Sequence, residues 1–270
     1  PPNLTLAKVL CEISGDMGKA NIVTNFDPWE RSTRLLGRTA VAQLALARVA
    51  VFGVGGVGSF AVEALVRSGI GHLALVDADT VAASDLNRQL HATHATLGRP
   101  KVQVMRERAL AINPQVAVET HEIFYLPANA DTIDLAAYDY IVDAVDTLAA
   151  KVEIAVRAAA AGTPLISCMG AGNKLDPTQF TVGDIFATTV CPLCRAMRRQ
   201  LRGRGVTSLQ VVWSRETPRA GSHDSQTRQV TPGSVAFVPS VAGLIAAGVV
   251  VRHLCGIRAD EPGTTNGEEA

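Results

Sequence analysis

The stretch Val49-Ala50-Val51-Phe52-Gly53-Val54-Gly55-Gly56-Val57-Gly58 decides the fold. Arg48 to Phe52 is a short, β-branched apolar run and predicts a buried strand. Gly58 to Ser68 carries Phe60, Ala61, Ala64 and Leu65 near one face and predicts a helix. Between them lies Gly53-x-Gly55-x-x-Gly58. Glycines at such a strand-to-helix turn let the backbone come close to a phosphate, and the helix N-terminus adds unpaired N–H groups and a positive dipole end. Gly53, Gly55, Gly56 and Gly58 are therefore the predicted cradle. His72 to Val76 predicts the next strand and ends at Asp77. An acid about 20 residues beyond the glycines is placed to accept the ribose hydroxyls of a nucleotide.

The same rhythm continues outward. Arg31 to Leu46 reads as one helical segment before the first strand. Pro100 is suited to a first helical turn, leading through Val104, Ala109 and Ile112 to Asn113-Pro114. Val116, Val118 and Thr120 alternate as in a strand, and Tyr140 to Val142 is another strand, followed by Asp143 and Asp146. Ala149 to Ala161 is an alanine-rich helix stopped by Gly162, and Pro164 to Ser167 is a fifth strand. Strands alternating with helices predict an α/β fold with a doubly wound, Rossmann-like, mostly parallel sheet. After Gly170 the rhythm changes: Gln179 to Val182 and Leu209 to Trp213 predict C-terminal antiparallel strands, with a helix from Cys194 to Leu201 between them. Residues 1–28 are predicted to be a loose extension, in which Met17 is a candidate start. One nucleotide-binding domain is expected over 29–258, with a mobile loop at about 203–233 and a disordered tail at 259–270.

Composition narrows the function. Lys and Arg total 25, as do Asp and Glu, so any nucleic-acid surface must be local. Five cysteines in 270 residues do not make a secreted disulfide framework. With no basic-then-apolar leader at the N-terminus, a reducing cytoplasm is the expected setting. Ser234 to Val251 is uncharged and long enough for a membrane span, but Pro239, Gly243, Gly248 and its many Ala and Val residues favour a buried C-terminal helix.

The glycine turn and Asp77 fit NAD and ATP alike. Arg88, Lys101, Asp143 and Asp146 tilt the reading. Two cations and an acid at the carboxyl edge of the sheet suit a triphosphate with Mg²⁺, the cations neutralising oxygens and an aspartate holding the metal.

Gly53-x-Gly-Gly-Val-Gly58, Leu75-Val76-Asp77-x-Asp79-x-Val81, Asn87-Arg88-Gln89, Gly98-Arg99-Pro100-Lys101 and Ile112-Asn113-Pro114 together resemble the ThiF/MoeB/ubiquitin-activating-enzyme family, from roughly Glu30 to Ile257. Enzymes of that family adenylate a carboxylate with Mg-ATP. The resemblance implies that Asp77 binds ribose, that Asn87 belongs to the nucleotide site, that Arg88 and Lys101 bind phosphates, and that Asp146 holds magnesium. It implies a homodimer in which Arg34 reaches the nucleotide of the partner subunit. Asp85 departs from the pattern, which usually has asparagine there; an acid weakens phosphate affinity unless it faces away.

The C-terminal half points to one branch. Gly170-Ala-Gly-Asn-Lys-Leu-Asp-Pro-Thr178, Pro192-Leu-Cys-Arg195 with Arg198-Arg199, Val212-Trp-Ser-Arg-Glu216 and Gly233-Ser-Val-Ala-Phe-Val-Pro-Ser-Val-Ala-Gly243 resemble the members that dehydrate threonylcarbamoyladenosine in tRNA. The resemblance implies adenylation of that nucleoside's carboxylate, with release of pyrophosphate and AMP. Arg195, Arg198, Arg199 and Arg202 fall on one face of a helix and are the candidate contacts to the tRNA backbone. Cys191-Pro-Leu-Cys194 falls where sulfur-carrier activators of the family place a first zinc pair, but a second pair is missing. Structural zinc wants four ligands, so a redox pair or inert thiols are the competing readings. Activation of a sulfur-carrier C-terminus, NAD-dependent redox chemistry and a non-catalytic nucleotide sensor stay open, and a sulfur-transfer protein is a further candidate partner.

Overall fold

The computed structural model describes residues 27–220 and 232–257. Two short helices, α1 (Glu30–Leu36) and α2 (Arg38–Leu46), lead into β1 (Arg48–Phe52), α3 (Gly58–Arg67) and β2 (His72–Val76). Then come α4 (Lys101–Ile112), β3 (Ala117–His121), β4 (Tyr140–Asp143), α5 (Leu148–Ala161) and β5 (Leu165–Cys168). The chain ends with β6 (Phe180–Asp184), α6 (Pro192–Gly203), β7 (Gln210–Ser214) and α7 (Pro239–Leu254).

The strands form one seven-stranded sheet in the order β3-β2-β1-β4-β5-β7-β6. Every neighbouring pair is parallel except β6 with β7. The predicted antiparallel feature is therefore confined to the β6–β7 pair, since β7 itself runs parallel to β5. The first four residues of β1 after Arg48, and likewise all of β4, are buried. Helices cover both faces there, so the strands are apolar throughout rather than alternating. The two edge strands, β3 and β6, stay half-exposed.

Order 3-2-1-4 means the chain reverses direction across the sheet between β1 and β4. Such a switch point opens a crevice at the carboxyl ends of the strands. The glycine turn after β1, Asp77 after β2 and the Ala144–Thr147 turn after β4 all end there.

Three predicted boundaries change. The single helix expected over Arg31 to Leu46 is two, because Gly37 adopts φ 87° and turns the chain between them. Pro100 sits at the cap of α4, one residue before the first turn. The loop expected at about 203–233 begins later, since β7 occupies Gln210–Ser214 inside it. Residues 221–231, like residues 1–26 of the extension predicted over 1–28 and the tail predicted over 259–270, lie outside the described residues. The uncharged segment near the C-terminus folds as α7, packed along α3, with Ala242, Ala246, Ala247 and Val250 buried in the core. Among the described residues, no helix is long and apolar enough to cross a membrane.

Candidate active site

A cavity of about 420 Å³ opens at the switch point. Its floor is the turn after β1. Gly53 has φ +83°, and a Cβ there would lie 2.7 Å from the Ala144 carbonyl oxygen. A side chain on Gly58 would collide with the Gly53 carbonyl oxygen at 1.8 Å. These two glycines bring the turn down onto β4 and let α3 start immediately behind it. Gly55 and Gly56 face the open side, where a Cβ would meet nothing closer than 3.3 Å. A phosphate fits against backbone at that point, where a larger side chain would fill the space.

Asp77 stands beside this turn. Its carboxylate accepts hydrogen bonds from the Val54 N–H at 2.7 Å and the Asp79 N–H at 2.8 Å. Burial pushes its pKa up, and those two N–H groups pull against that shift. The carboxylate is thus fixed in place and keeps lone pairs for ribose hydroxyls. Ile123, Phe124 and Tyr125 form the adjacent apolar wall, a surface suited to a nucleobase. The Tyr125 hydroxyl is buried without a hydrogen-bond partner among the described residues, and burial pushes its pKa up to about 12.

The phosphate end is charged. Lys101, at the start of α4, has a side chain only 7% exposed, and its Nζ donates to Asp79 at 2.8 Å and lies 3.8 Å from Asp85. Arg88 donates to the Ser84 carbonyl at 2.7 Å and to Asn87 at 3.0 Å, with a guanidinium nitrogen 3.5 Å from Asp85. Asp85 does not face away. It lines the cavity, accepts hydrogen bonds from Gln89 Nε2 at 2.6 Å and the Ala82 N–H at 3.0 Å, and neutralises both cations. Gln89 Oε1, also in the wall, is buried without a partner among the described residues. An orphaned acceptor beside two cations and an open glycine cradle fits a polar, phosphate-bearing ligand.

Asp146 lines the opposite wall, exposed and bonded only to the Thr147 hydroxyl at 3.3 Å among the described residues. No cluster of three or more metal-ligating side chains occurs among the described residues. The Asp146 carboxylate is the residue of this wall that could hold a magnesium ion together with substrate phosphates. Asp143, the other acid after β4, is not at the cavity. It is fully buried, with the Lys151 ammonium at 2.9 Å, the Ser167 hydroxyl donating at 2.5 Å and the Val145 N–H at 3.2 Å. This network anchors the turn that carries Asp146.

Of the predicted site residues, Gly53, Gly55, Gly56, Asp77, Arg88, Lys101 and Asp146 converge on one cavity. Gly58 supports it from below. Asn87 donates to the Ser234 carbonyl at 3.0 Å, which ties the segment before α7 to the site, rather than lining it. Arg34 lies on α1, exposed and paired with Glu30, away from the cavity of its own chain. Sequence reasoning missed the parts played by Gln89, Asp85, Asp79 and Tyr125. Gln89 stands in the quoted Asn-Arg-Gln motif, so its signal was present.

The predicted arginine face also divides. Arg198 points inward, donating to the carbonyls of Thr188 at 3.0 Å and Ile185 at 3.2 Å. It satisfies the short turn before α6 and is not free for a ligand. Arg202 stacks its guanidinium 5.2 Å over the Phe186 ring. Arg195 and Arg199 stay exposed, with no acidic partner among the described residues.

A switch-point crevice at the carboxyl ends of the strands, with Gly53, Gly55, Gly56, Asp77, Arg88, Lys101 and Asp146 around one cavity, marks a nucleotide-binding α/β protein. The ThiF family model matches residues 29–267, and the chain belongs to that family. It is 41% identical over 238 residues to the tRNA threonylcarbamoyladenosine dehydratase of Bacillus subtilis (strain 168), a match covering 84% of this chain and 94% of that protein. The crystal structure of Escherichia coli tRNA N6-threonylcarbamoyladenosine dehydratase with ATP superposes with a TM-score of 0.77 at 31% identity, covering 85% of this chain and 94% of that one. The molybdopterin-synthase adenylyltransferase of E. coli is 37% identical over 145 residues, 51% of this chain and 55% of that protein.

Proposed function

We propose that this chain catalyses the ATP-dependent dehydration, by cyclisation, of threonylcarbamoyladenosine in tRNA. The observation that carries the reading is the convergence of Arg88, Lys101 and Asp146 on the glycine cradle. Near full-length similarity to a protein named for that reaction supports it.

A free carboxylate loses oxygen poorly in water. Attack of the threonyl carboxylate on the α-phosphorus of ATP makes that oxygen part of a good leaving group. Pyrophosphate departs with its growing charge against the cationic donors Lys101 and Arg88. Asp146 would hold Mg²⁺, which would supply further charge neutralisation for the phosphates. To reach the phosphates, Lys101 and Arg88 must exchange Asp79 and Asp85 for them, over distances of one hydrogen bond. A second group of the same nucleoside then attacks the activated carbonyl, closes the ring and releases AMP. Tethering makes that attack intramolecular, so no enzyme nucleophile is required.

Two further parts belong to the same proposal. Arg34 completes the site of a partner subunit in a homodimer. Its side chain is exposed, and Leu35 and Leu46 beside it, at 84% and 78% exposure, are apolar surface that a partner would cover. Arg195 and Arg199 contact the tRNA backbone from α6. A cytoplasmic location and a sulfur-transfer partner follow from this reading and are open to test.

The test is pyrophosphate release. It should require Mg²⁺ and tRNA carrying threonylcarbamoyladenosine, and be absent with unmodified tRNA. Equal release with a sulfur-carrier protein in place of tRNA would move the assignment to carrier activation.

A further inference from the structure

Cys191 and Cys194 take no part in the adenylation site, yet their surroundings are not those of inert thiols. Cys191 is the N-cap of α6 and Cys194 lies three residues on, so both side chains project from the first turn toward one side. Both are buried among Met169, Met197, Trp213 and Leu201. Lys174 is 4% exposed, near enough for its charge to interact with both sulfurs, and its Nζ donates to the Glu216 carbonyl at 2.8 Å. No carboxylate lies within salt-bridge distance of Lys174 among the described residues, because the Glu216 carboxylate is turned to the N–H groups of Leu175 and Asp176. A buried ammonium without an anion is costly. Among the groups whose charge acts on Lys174, the Cys191 sulfur comes first, ahead of Glu216 and Cys194.

The other polar groups around the pair agree. The Cys194 thiol, the N–H groups of Cys194 and Leu193, and Lys174 hold the Cys191 thiol down at about 6, against the opposing effect of burial. Cys194 is pushed up, by Cys191 first and then by burial, while the Thr188 hydroxyl and Arg198 pull the other way. One anion shared across two sulfurs at a helix N-terminus is the usual chemistry of a reactive Cys-x-x-Cys pair.

We propose that Cys191 and Cys194 form a reversible dithiol–disulfide couple whose thiolate is the counter-ion of Lys174, and that its oxidation is felt at the nucleotide cavity. With a peroxide as oxidant, the Cys191 thiolate attacks one oxygen and the O–O bond breaks. The departing hydroxide takes a proton, leaving a sulfenic acid on Cys191. Cys194 then gives up its proton, attacks the Cys191 sulfur and expels the oxygen as water. Two thiols lose two electrons in all, and one peroxide becomes two waters. Lys174 is left without its anion. It belongs to the segment whose Ala171 and Gly172 line the cavity, and the adjoining Asn173 accepts from the Gly233 N–H at 2.7 Å. Loss of its anchor therefore acts on the cavity wall.

The test uses the full chain. Reduced protein is alkylated with iodoacetamide across pH 5 to 9 and read by peptide mass spectrometry. Cys191 should react about tenfold faster at pH 5, and only about twofold faster at pH 7, than in Lys174→Met, since a rise of about one unit from about 6 cuts the thiolate about tenfold only well below the pKa. Hydrogen peroxide should remove two hydrogens and link Cys191 to Cys194, reversibly with dithiothreitol. Oxidised protein should bind ATP several-fold more weakly than reduced protein, and the Cys191→Ser, Cys194→Ser double variant should not respond to peroxide. A Cys191 rate that falls below pH 8 as an ordinary thiol's does, or a wild-type protein that forms no Cys191–Cys194 link, overturns the couple without recourse to any variant. Equal ATP affinity of the two forms overturns the coupling to the cavity. ATP binding by neither form would overturn the nucleotide reading and leave the thiol result standing.

Discussion

Replacing Lys101 with methionine separates its part in holding the fold from its part in the chemistry. Its ammonium lies 3.8 Å from the buried Asp85 carboxylate. At an effective dielectric of 20 that attraction is about 4 kcal/mol gross, before desolvation is subtracted. Asp85 keeps three other partners in the variant: Gln89 at 2.6 Å, the Ala82 N–H at 3.0 Å and Arg88 at 3.5 Å. Asp79 is 63% exposed on its side chain and returns to water. The net stability loss should therefore be small, about 1–2 kcal/mol, or a fall in Tm of about 2–8 °C for a chain this size. A donor aimed at developing phosphate charge is worth more, about 3–4 kcal/mol. Pyrophosphate release should fall about 100- to 1000-fold in kcat while the variant still melts cooperatively. The assay is coupled pyrophosphate detection with modified tRNA, run beside a calorimetric melt. Activity within tenfold of the parent would refute the role given to Lys101. So would an activity loss matched by unfolding at the assay temperature.

Three other outcomes are expected. Gly53→Ala should unfold or severely destabilise the protein, because φ +83° and a 2.7 Å approach to the Ala144 carbonyl both oppose a methyl group, whereas Gly56→Ala should fold normally and raise KM for ATP; equal melts for the two would contradict this geometry. His91 is buried with neither ring nitrogen hydrogen-bonded among the described residues, and burial drives its pKa down to about 4, below the ordinary 6.5. The unfolded chain thus binds the extra proton first, so stability is lost as pH falls from about 6.5 to 4, by about 3 kcal/mol at most; urea melts of His91→Phe should show a flatter acid limb, and an unchanged limb would count against it. Changing Arg195 and Arg199 together to Gln should weaken tRNA binding and reduce the slope of log K against log salt by about 2, measured by fluorescence anisotropy, while Arg198→Gln should instead lower Tm; an unaltered slope would remove α6 from the tRNA surface.

Much of the frame was legible because it rests on local rules. Arg48–Phe52 and His72–Val76 are strands at their predicted bounds, since uninterrupted apolar runs ended by glycine or aspartate leave little choice. Gly162 stops α5 in the left-handed conformation, as expected of a glycine after a helix. What stayed hidden depends on distant partners. Asp85 reads in sequence as a like charge intruding on a phosphate site, and only the fold places it between Lys101 and Arg88. Arg198 shares helical spacing with Arg195 and Arg199, but the turn at Ile185–Ala187 packs against it and takes its hydrogen bonds. Asp143 and Asp146 look equivalent after β4, and the buried Lys151 from the next helix claims only the first.

The central claim is that the triphosphate is consumed to remove water from a tRNA nucleoside. Mass spectrometry of nucleosides from threonylcarbamoyladenosine-containing tRNA, incubated with the protein and Mg-ATP, tests it most directly. The account predicts a product lighter by one water, formed only with ATP and lost in Lys101→Met. An unchanged nucleoside under conditions where the protein binds both ATP and that tRNA would contradict it.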